Sequence, residues 1–485
     1  MATSAREDLY KYKGKHLSEI KLAAKTSVKD EQTRNRDQLI LNKRLKVETL
    51  EEAEASFSRE EELEKITQAT RLLKQSKNVE SLTLVRKCFA RDPKSARIFL
   101  RNEGLQALQS CFLSTDTAVL HAAAWCAINL LAATSLSARS VMHLSPLLIQ
   151  FLQGSDPQMQ ELCAWAIGNM AADSKKHRSI LLHQGCIPAL TALVSSTNFL
   201  THQARSQSVL FALINLARGD YACIRCMQDH SIFTHFNFLL GTVDAACDLC
   251  FEIGCIINFI YSRKETFEEY GDQFIHILKL VIVKLSQVIQ LEDNAQRDKV
   301  ILPYLHSLGN MIGLSSDMAL TACDHSNFLP TIFSCLTSNT EFIQKEALWI
   351  LVNFMVEPSC RVLVMCQPRF LNVTFQLCQS TDENVTLNAL YLVAASSKVS
   401  AWMCQYLVER GAVSLMVQML ASSKLKVLEA ALDILVDLVS ATEQGMMALL
   451  ASDGLALLQR VAVNESSSHL KEAISYLTSF LCADT

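Results

Sequence analysis

From about residue 66 to the end of the chain, apolar residues recur every three to four positions, in stretches broken by short polar connections. This spacing predicts α-helices almost throughout, each with one face turned to a core. The most apolar run, FIHILKLVIVKLSQVIQL at 274–291, carries His276, Lys279 and Lys284. It therefore reads as an amphipathic helix and not as a membrane span.

Within the helical pattern one pair of residues returns. AAAWCAINLLAAT places Trp125 four residues before Asn129, ELCAWAIGNMAAD places Trp165 before Asn169, and EALWILVNFMVEP places Trp349 before Asn353. SVLFALINLARGD keeps the spacing with Phe211 and Asn215, and YLHSLGNMIGL keeps Asn310 alone. The asparagines are 40 residues apart from 129 to 169, 46 from 169 to 215 and 43 from 310 to 353. An all-helical repeat of this length predicts an armadillo-type solenoid of about ten units, right-handed and superhelical, with one long concave face. A glycine before an apolar helix start keeps the same beat at Gly104, Gly185, Gly411 and Gly454, and each is expected to permit a tight turn.

Residues four apart share a helical face. Repeated on the last helix of each unit, the pairs are expected to line the concave face as a ladder of amides beside a row of indoles. An amide can donate to and accept from the backbone of an extended peptide. Neighbouring indoles form slots for the stems of Lys and Arg, with cation–π attraction added. Glu161 and Asp173 flank Trp165, and Glu346 precedes Trp349, so carboxylates stand where the charged heads of such a peptide would end. The expected ligand is an extended peptide rich in Lys and Arg.

Composition sharpens this picture. Among 485 residues there are only 8 Pro and 14 Gly, which disfavours strands and turn-rich folds. The net charge of −4 argues against whole-molecule attraction to nucleic acid or an anionic membrane. The N-terminal residues lack the apolar core of a secretory signal, so the 17 cysteines are expected to be reduced, buried thiols. Charge is uneven: 1–46 is a basic arm, 47–65 is an acidic linker that includes ETLEEAEASFSREEELE, and 66–485 is the solenoid.

These residues resemble the importin-α family, the armadillo adaptors for basic nuclear localisation signals. ELCAWAIGNMAAD is similar to that family's second-repeat helix, QKEALWILVN to a helix of its second, minor site, and NLARGD and LHSLGNM to the intervening repeats. KYKGK, with Lys11, Lys13 and Lys15, and RDQLILNKR, with Arg36, Lys43 and Arg44, resemble its importin-β-binding arm. The resemblance implies a major site of Trp125, Asn129, Glu161, Trp165, Asn169, Asp173, Phe211 and Asn215, in which Asp173 holds the key lysine. It implies a minor site of Asn310, Glu346, Trp349 and Asn353. It further implies an arm that recruits an importin-β-type carrier, shuttling between cytoplasm and nucleus, and neither a cofactor nor an enzymatic activity. This chain departs from the family at several points. Phe211 and Cys255 replace tryptophans, His306 replaces an arginine, Tyr391 and Ala395 replace a Trp/Asn pair, and the arm has no run of arginines. The resemblance thus points to a divergent branch, such as the importin-α-like proteins named for transmembrane and coiled-coil domains.

Three rival readings follow from the same residues. An armadillo scaffold could hold some other extended partner. Core packing could claim the Trp/Asn pairs. Cys223, Cys226, Cys247 and Cys250 have the spacing of a four-cysteine zinc site, although their helical, apolar context favours buried thiols and no metal. No G-x-S-x-G, H-E-x-x-H, G-x-G-x-x-G or P-loop pattern occurs, which leaves enzyme chemistry without a signature.

Overall fold

The computed structural model describes residues 59–482, apart from 134–139, 220, 356 and 465–466. Among the described residues every regular element is a helix. The expected basic arm, with Lys11, Lys13, Lys15, Arg36, Lys43 and Arg44, lies outside them, as does most of the expected linker. The first described helix, Arg59–Gln75, begins inside the stretch assigned to that linker.

The units follow the armadillo plan of two short helices and one longer one. One of them runs Lys175–His183, Cys186–Val194, Gln203–Ala217; another runs Ser316–Cys323, Phe328–Leu336, Glu341–Phe354. The chain divides into two compact units between Glu269 and Tyr270. In the N-terminal one the third helices Val79–Arg91, Thr117–Ala133, Pro157–Asp173, Gln203–Ala217 and Leu249–Tyr261 pack one on the next. In the C-terminal one the row is Ala295–Ile312, Glu341–Phe354, Glu383–Ser397, Leu425–Ala441 and Ser468–Cys482. Leu, Ile, Val and Ala at helical spacing fill the layers beneath, and each buried Leu or Ile contributes about 1.5–3 kcal/mol.

Local chemistry sets the helix ends. Asp156 caps Pro157–Asp173 by accepting from Gln158 N (2.9 Å) and Met159 N (3.3 Å), and Pro157 occupies the first turn, where no donor is missed. Ser174 ends that helix and starts the next through His177 N (3.2 Å). Arginines that come just after third helices close the carbonyl ends of third helices or the turns that follow them. Arg178 Nη1 donates to Ala171 O (2.8 Å), Arg263 Nη2 to Gly219 O (3.0 Å) and Arg361 Nε to Met355 O (2.6 Å). A cation there also complements the helix dipole.

The glycine beat splits into two kinds. Gly185 and Gly411 adopt left-handed backbone, at φ 79° and 90°, as the turn reading expects. Gly104 does not. Its neighbour Glu103 takes the left-handed position at φ 59°, and Gly104 is small because a β-carbon would strike the Phe99 ring. Gly454 likewise sits against Leu449.

The run at 274–291 forms most of the helix Lys264–Val288, in which Tyr270 leaves helical geometry. Phe274, Ile277, Leu278, Val281, Ile282, Leu285 and Val288 are buried along one stripe. No described helix is long and apolar enough to cross a membrane.

Candidate peptide-binding face

Every candidate side chain with described coordinates stands on a third helix, but burial separates them into open and closed rungs. In the N-terminal unit Trp125 and Trp165 are half-buried, as is Glu161. Glu161, Trp165, Asn169 and Asp173 follow at four-residue intervals and form one stripe on Pro157–Asp173. The Trp125 ring carries a guanidinium of the chain itself: Arg86 Cζ is 3.9 Å from the ring centroid.

The asparagines are placed differently from the expected open ladder. Asn129, Asn169, Asn215 and Asn353 are all buried. Asn169 Nδ2 donates to Ile128 O (3.3 Å) and Asn353 Nδ2 to Gly309 O (3.2 Å). In both cases the acceptor is the residue just before the previous unit's asparagine, so the amide row ties successive third helices together. Asn215 breaks the register by donating within its own helix to Phe211 O (3.1 Å), which leaves its Oδ1 without a partner. Asn310 stays half-buried.

The aromatic rungs depart from expectation in the same way. Phe211 is 1% exposed and Trp349 is 2% exposed. Each is seated on a glycine of the preceding third helix, Gly168 and Gly309 respectively. Where that position is Ile128, the next aromatic, Trp165, remains half-buried. The signal was present in AIGNM and SLGNM, a glycine directly before the asparagine, but its effect falls on a residue some forty positions downstream. Burial in Trp349 also leaves its Nε1 without a hydrogen-bond partner.

The carboxylates have internal partners. Asp173 Oδ2 lies 2.9 Å from His177 Nδ1, with both side chains under a tenth exposed. Glu346 Oε1 lies 3.2 Å from His306 Nε2. The same device recurs at Asp433 and His469 (3.0 Å). Neither histidine partner of the candidate acids stood out as functional in the sequence. In the C-terminal unit Asn353 also borders a cavity of about 220 Å³ lined by Gly313, Ser315, Ser316 and Glu357. Further along, Tyr391 and Ala395 are buried, as is Cys255 in the N-terminal unit.

Among the described residues no group of three or more His, Cys, Asp or Glu side chains is arranged to hold a metal. Of the four cysteines with zinc-like spacing, Cys223 and Cys226 stand on the helix Tyr221–Asp229 and Cys250 on Leu249–Tyr261, while Cys247 lies in the turn before that helix. Burial pushes thiols such as Cys126, Cys163 and Cys378 well above the usual thiol range.

Comparison with known proteins agrees with this architecture. The armadillo/β-catenin-like repeat family matches residues 143–172. Importin subunit alpha-9 of Arabidopsis thaliana is 27% identical over 267 residues, covering 52% of this chain and 48% of the relative. Importin subunit alpha-1b of Oryza sativa subsp. japonica is 25% identical over 234 residues, covering 47% and 40%. The chain thus spans about half the length of the curated relatives it matches. An engineered protein solved by a structural genomics consortium superposes with a TM-score of 0.72 at 18% identity, covering 86% of this chain and 99% of its own. At that identity the likeness concerns the fold alone. The described residues form an all-helical solenoid of the armadillo type, and about half of the chain is similar to importin-α proteins.

Proposed function

We propose that this armadillo protein is a non-enzymatic adaptor of the importin-α type, binding Lys/Arg-rich nuclear localisation peptides along its third helices. In this reading the major site lies in the N-terminal unit, from Trp125 to Asn215, and a minor site at Asn310, Glu346, Trp349 and Asn353 lies in the C-terminal unit. Residues 1–46 serve as an arm that recruits an importin-β-type carrier across the 47–65 linker. The protein then shuttles between cytoplasm and nucleus.

The observation that supports this most is the stripe on Pro157–Asp173, a half-buried indole flanked by Glu161 and Asp173 on one helical face. An indole attracts the stem and charge of a basic side chain, and the carboxylates add attraction for its head. Much of that attraction is screened charge, so affinity should fall as salt rises.

The test is a fluorescence-anisotropy titration of the full chain with a Lys-rich peptide. Asp173→Lys should abolish binding, and Trp165→Ala should weaken it by roughly thirtyfold, the order of a desolvated cation–π contact. Unchanged affinity in both variants would overturn the assignment.

A second reading is an armadillo scaffold holding some other extended partner. It is favoured by the burial of Trp349 and the use of Asn169 and Asn353 as ties between helices. Capture of an importin-β-type carrier by the full chain, and its loss without residues 1–46, separates the two. Failure of the full chain to bind carrier leaves the scaffold.

A further inference from the structure

Arg86 belongs to Val79–Arg91, the helix that opens the N-terminal row, and the residue is 4% exposed. Its guanidinium is stacked 3.9 Å from the centroid of Trp125. This is the contact that a Lys or Arg of a bound peptide would make at an indole rung. At Trp125 the chain supplies it from within.

Charge around the two half-buried indoles differs accordingly. Thr117–Ala133, the helix of Trp125, contains no Asp or Glu. One turn before Trp125 it carries His121, whose Nε2 is engaged by Asp156 Oδ2 at 2.5 Å. Pro157–Asp173, the helix of Trp165, brings Glu161 and Asp173. Trp125, on a helix without acids, is thus covered by a cation from the neighbouring helix, and Trp165 is flanked by acids on its own helix.

Resting on the adaptor reading above, we propose that Arg86 is a specificity-determining residue that closes the Trp125 rung to basic side chains. The chosen peptides would be those whose basic cluster is confined to the Trp165 end, with a neutral or acidic residue at Trp125. The guanidinium lies over the ring and occupies surface that a ligand's basic side chain would need.

The test uses the full chain and fluorescence-labelled peptides. One carries a short Lys cluster flanked by Ala; the others extend that cluster by Lys, or by Glu, at either end. The unaltered protein should gain nothing from Lys extension on the Trp125 side and should bind the Glu extension there at least as well. Arg86→Gln and Arg86→Met should each leave the short peptide's affinity unchanged while the Lys extension gains about fivefold, the order of one exposed cation–π contact. Melting curves report whether each variant is folded. The preference of the unaltered protein between Lys and Glu extensions decides the matter even if neither variant folds.

An equal gain from Lys extension at both ends in the unaltered protein overturns the role of Arg86 and leaves the adaptor reading standing. Absence of binding by every peptide to every protein overturns both.

Discussion

Trp349 is seated on Gly309, a residue of the preceding third helix, so closely that a β-carbon at 309 would collide with Cζ3 of the indole. The same relation holds between Phe211 and Gly168. At these two rungs the absent methyl leaves room for the aromatic ring to sink between two helices. Restoring it is informative. Gly309→Ala should cost about 1–3 kcal/mol, the usual penalty of overpacking. It should also drive Trp349 outward, which appears as a lowered melting temperature together with increased acrylamide quenching of tryptophan fluorescence. Unchanged quenching would mean that the backbone yields instead of the indole.

The amide ties have a stability cost of their own. Asn169→Ala removes the hydrogen bond to Ile128 O in a site with no water access. The lost bond should cost about 1 kcal/mol in urea denaturation. Asn215, which bonds only within its own helix, should cost less on the same substitution. A reversed order would argue that the ties between helices are not what holds this row.

Acid should loosen the cap of the Pro157–Asp173 helix. Burial raises the Asp156 carboxyl, but the His121 hydrogen bond and the N–H groups of Met159 and Gln158 outweigh it and hold the group below the usual carboxylate range. A folded-state value below the unfolded one means that the stabilisation is present above the unfolded value and is lost as pH falls through the folded one. Asp156→Ala should therefore cost about 1 kcal/mol near neutrality. The gap to the unaltered protein should close in melts taken at strongly acidic pH.

The two kinds of glycine should respond differently to asparagine. At Gly185 and Gly411 nothing would crowd a side chain, and only the left-handed backbone resists one. Gly185→Ala should cost about 1 kcal/mol, and Gly185→Asn should recover part of it, since Asn tolerates that conformation. At Gly104 both substitutions should be equally harmful, because the obstacle is the Phe99 ring. Thermal melts of the four variants check this.

Much of this protein was readable from particular residues. The pairs at Trp125/Asn129, Trp165/Asn169 and Trp349/Asn353 located three of the third helices, and the beat of about forty residues gave the repeat. The stripe from Glu161 to Asp173 was readable too, because helical geometry is local and fixes which residues share a face. What the spacing could not tell was which way an amide spends its hydrogen bonds. Asn169 reaches the Ile128 carbonyl, and not one of its own helix as Asn215 does, because another helix is stacked beside it.

The sequence by itself determined the helices, the length of the repeat and the positions on which a ligand face would be built. These follow from periodicity and backbone propensity, which act over a few residues. Tertiary structure alone decided which rungs are open. That depends on a residue some forty positions earlier, Gly309 beneath Trp349 or Gly168 beneath Phe211, and on a cation such as Arg86 delivered to Trp125 by a neighbouring helix. Such choices are made by contact between successive repeats: the glycine of AIGNM or SLGNM is visible in the chain, but only stacking shows which distant side chain fills the space above it.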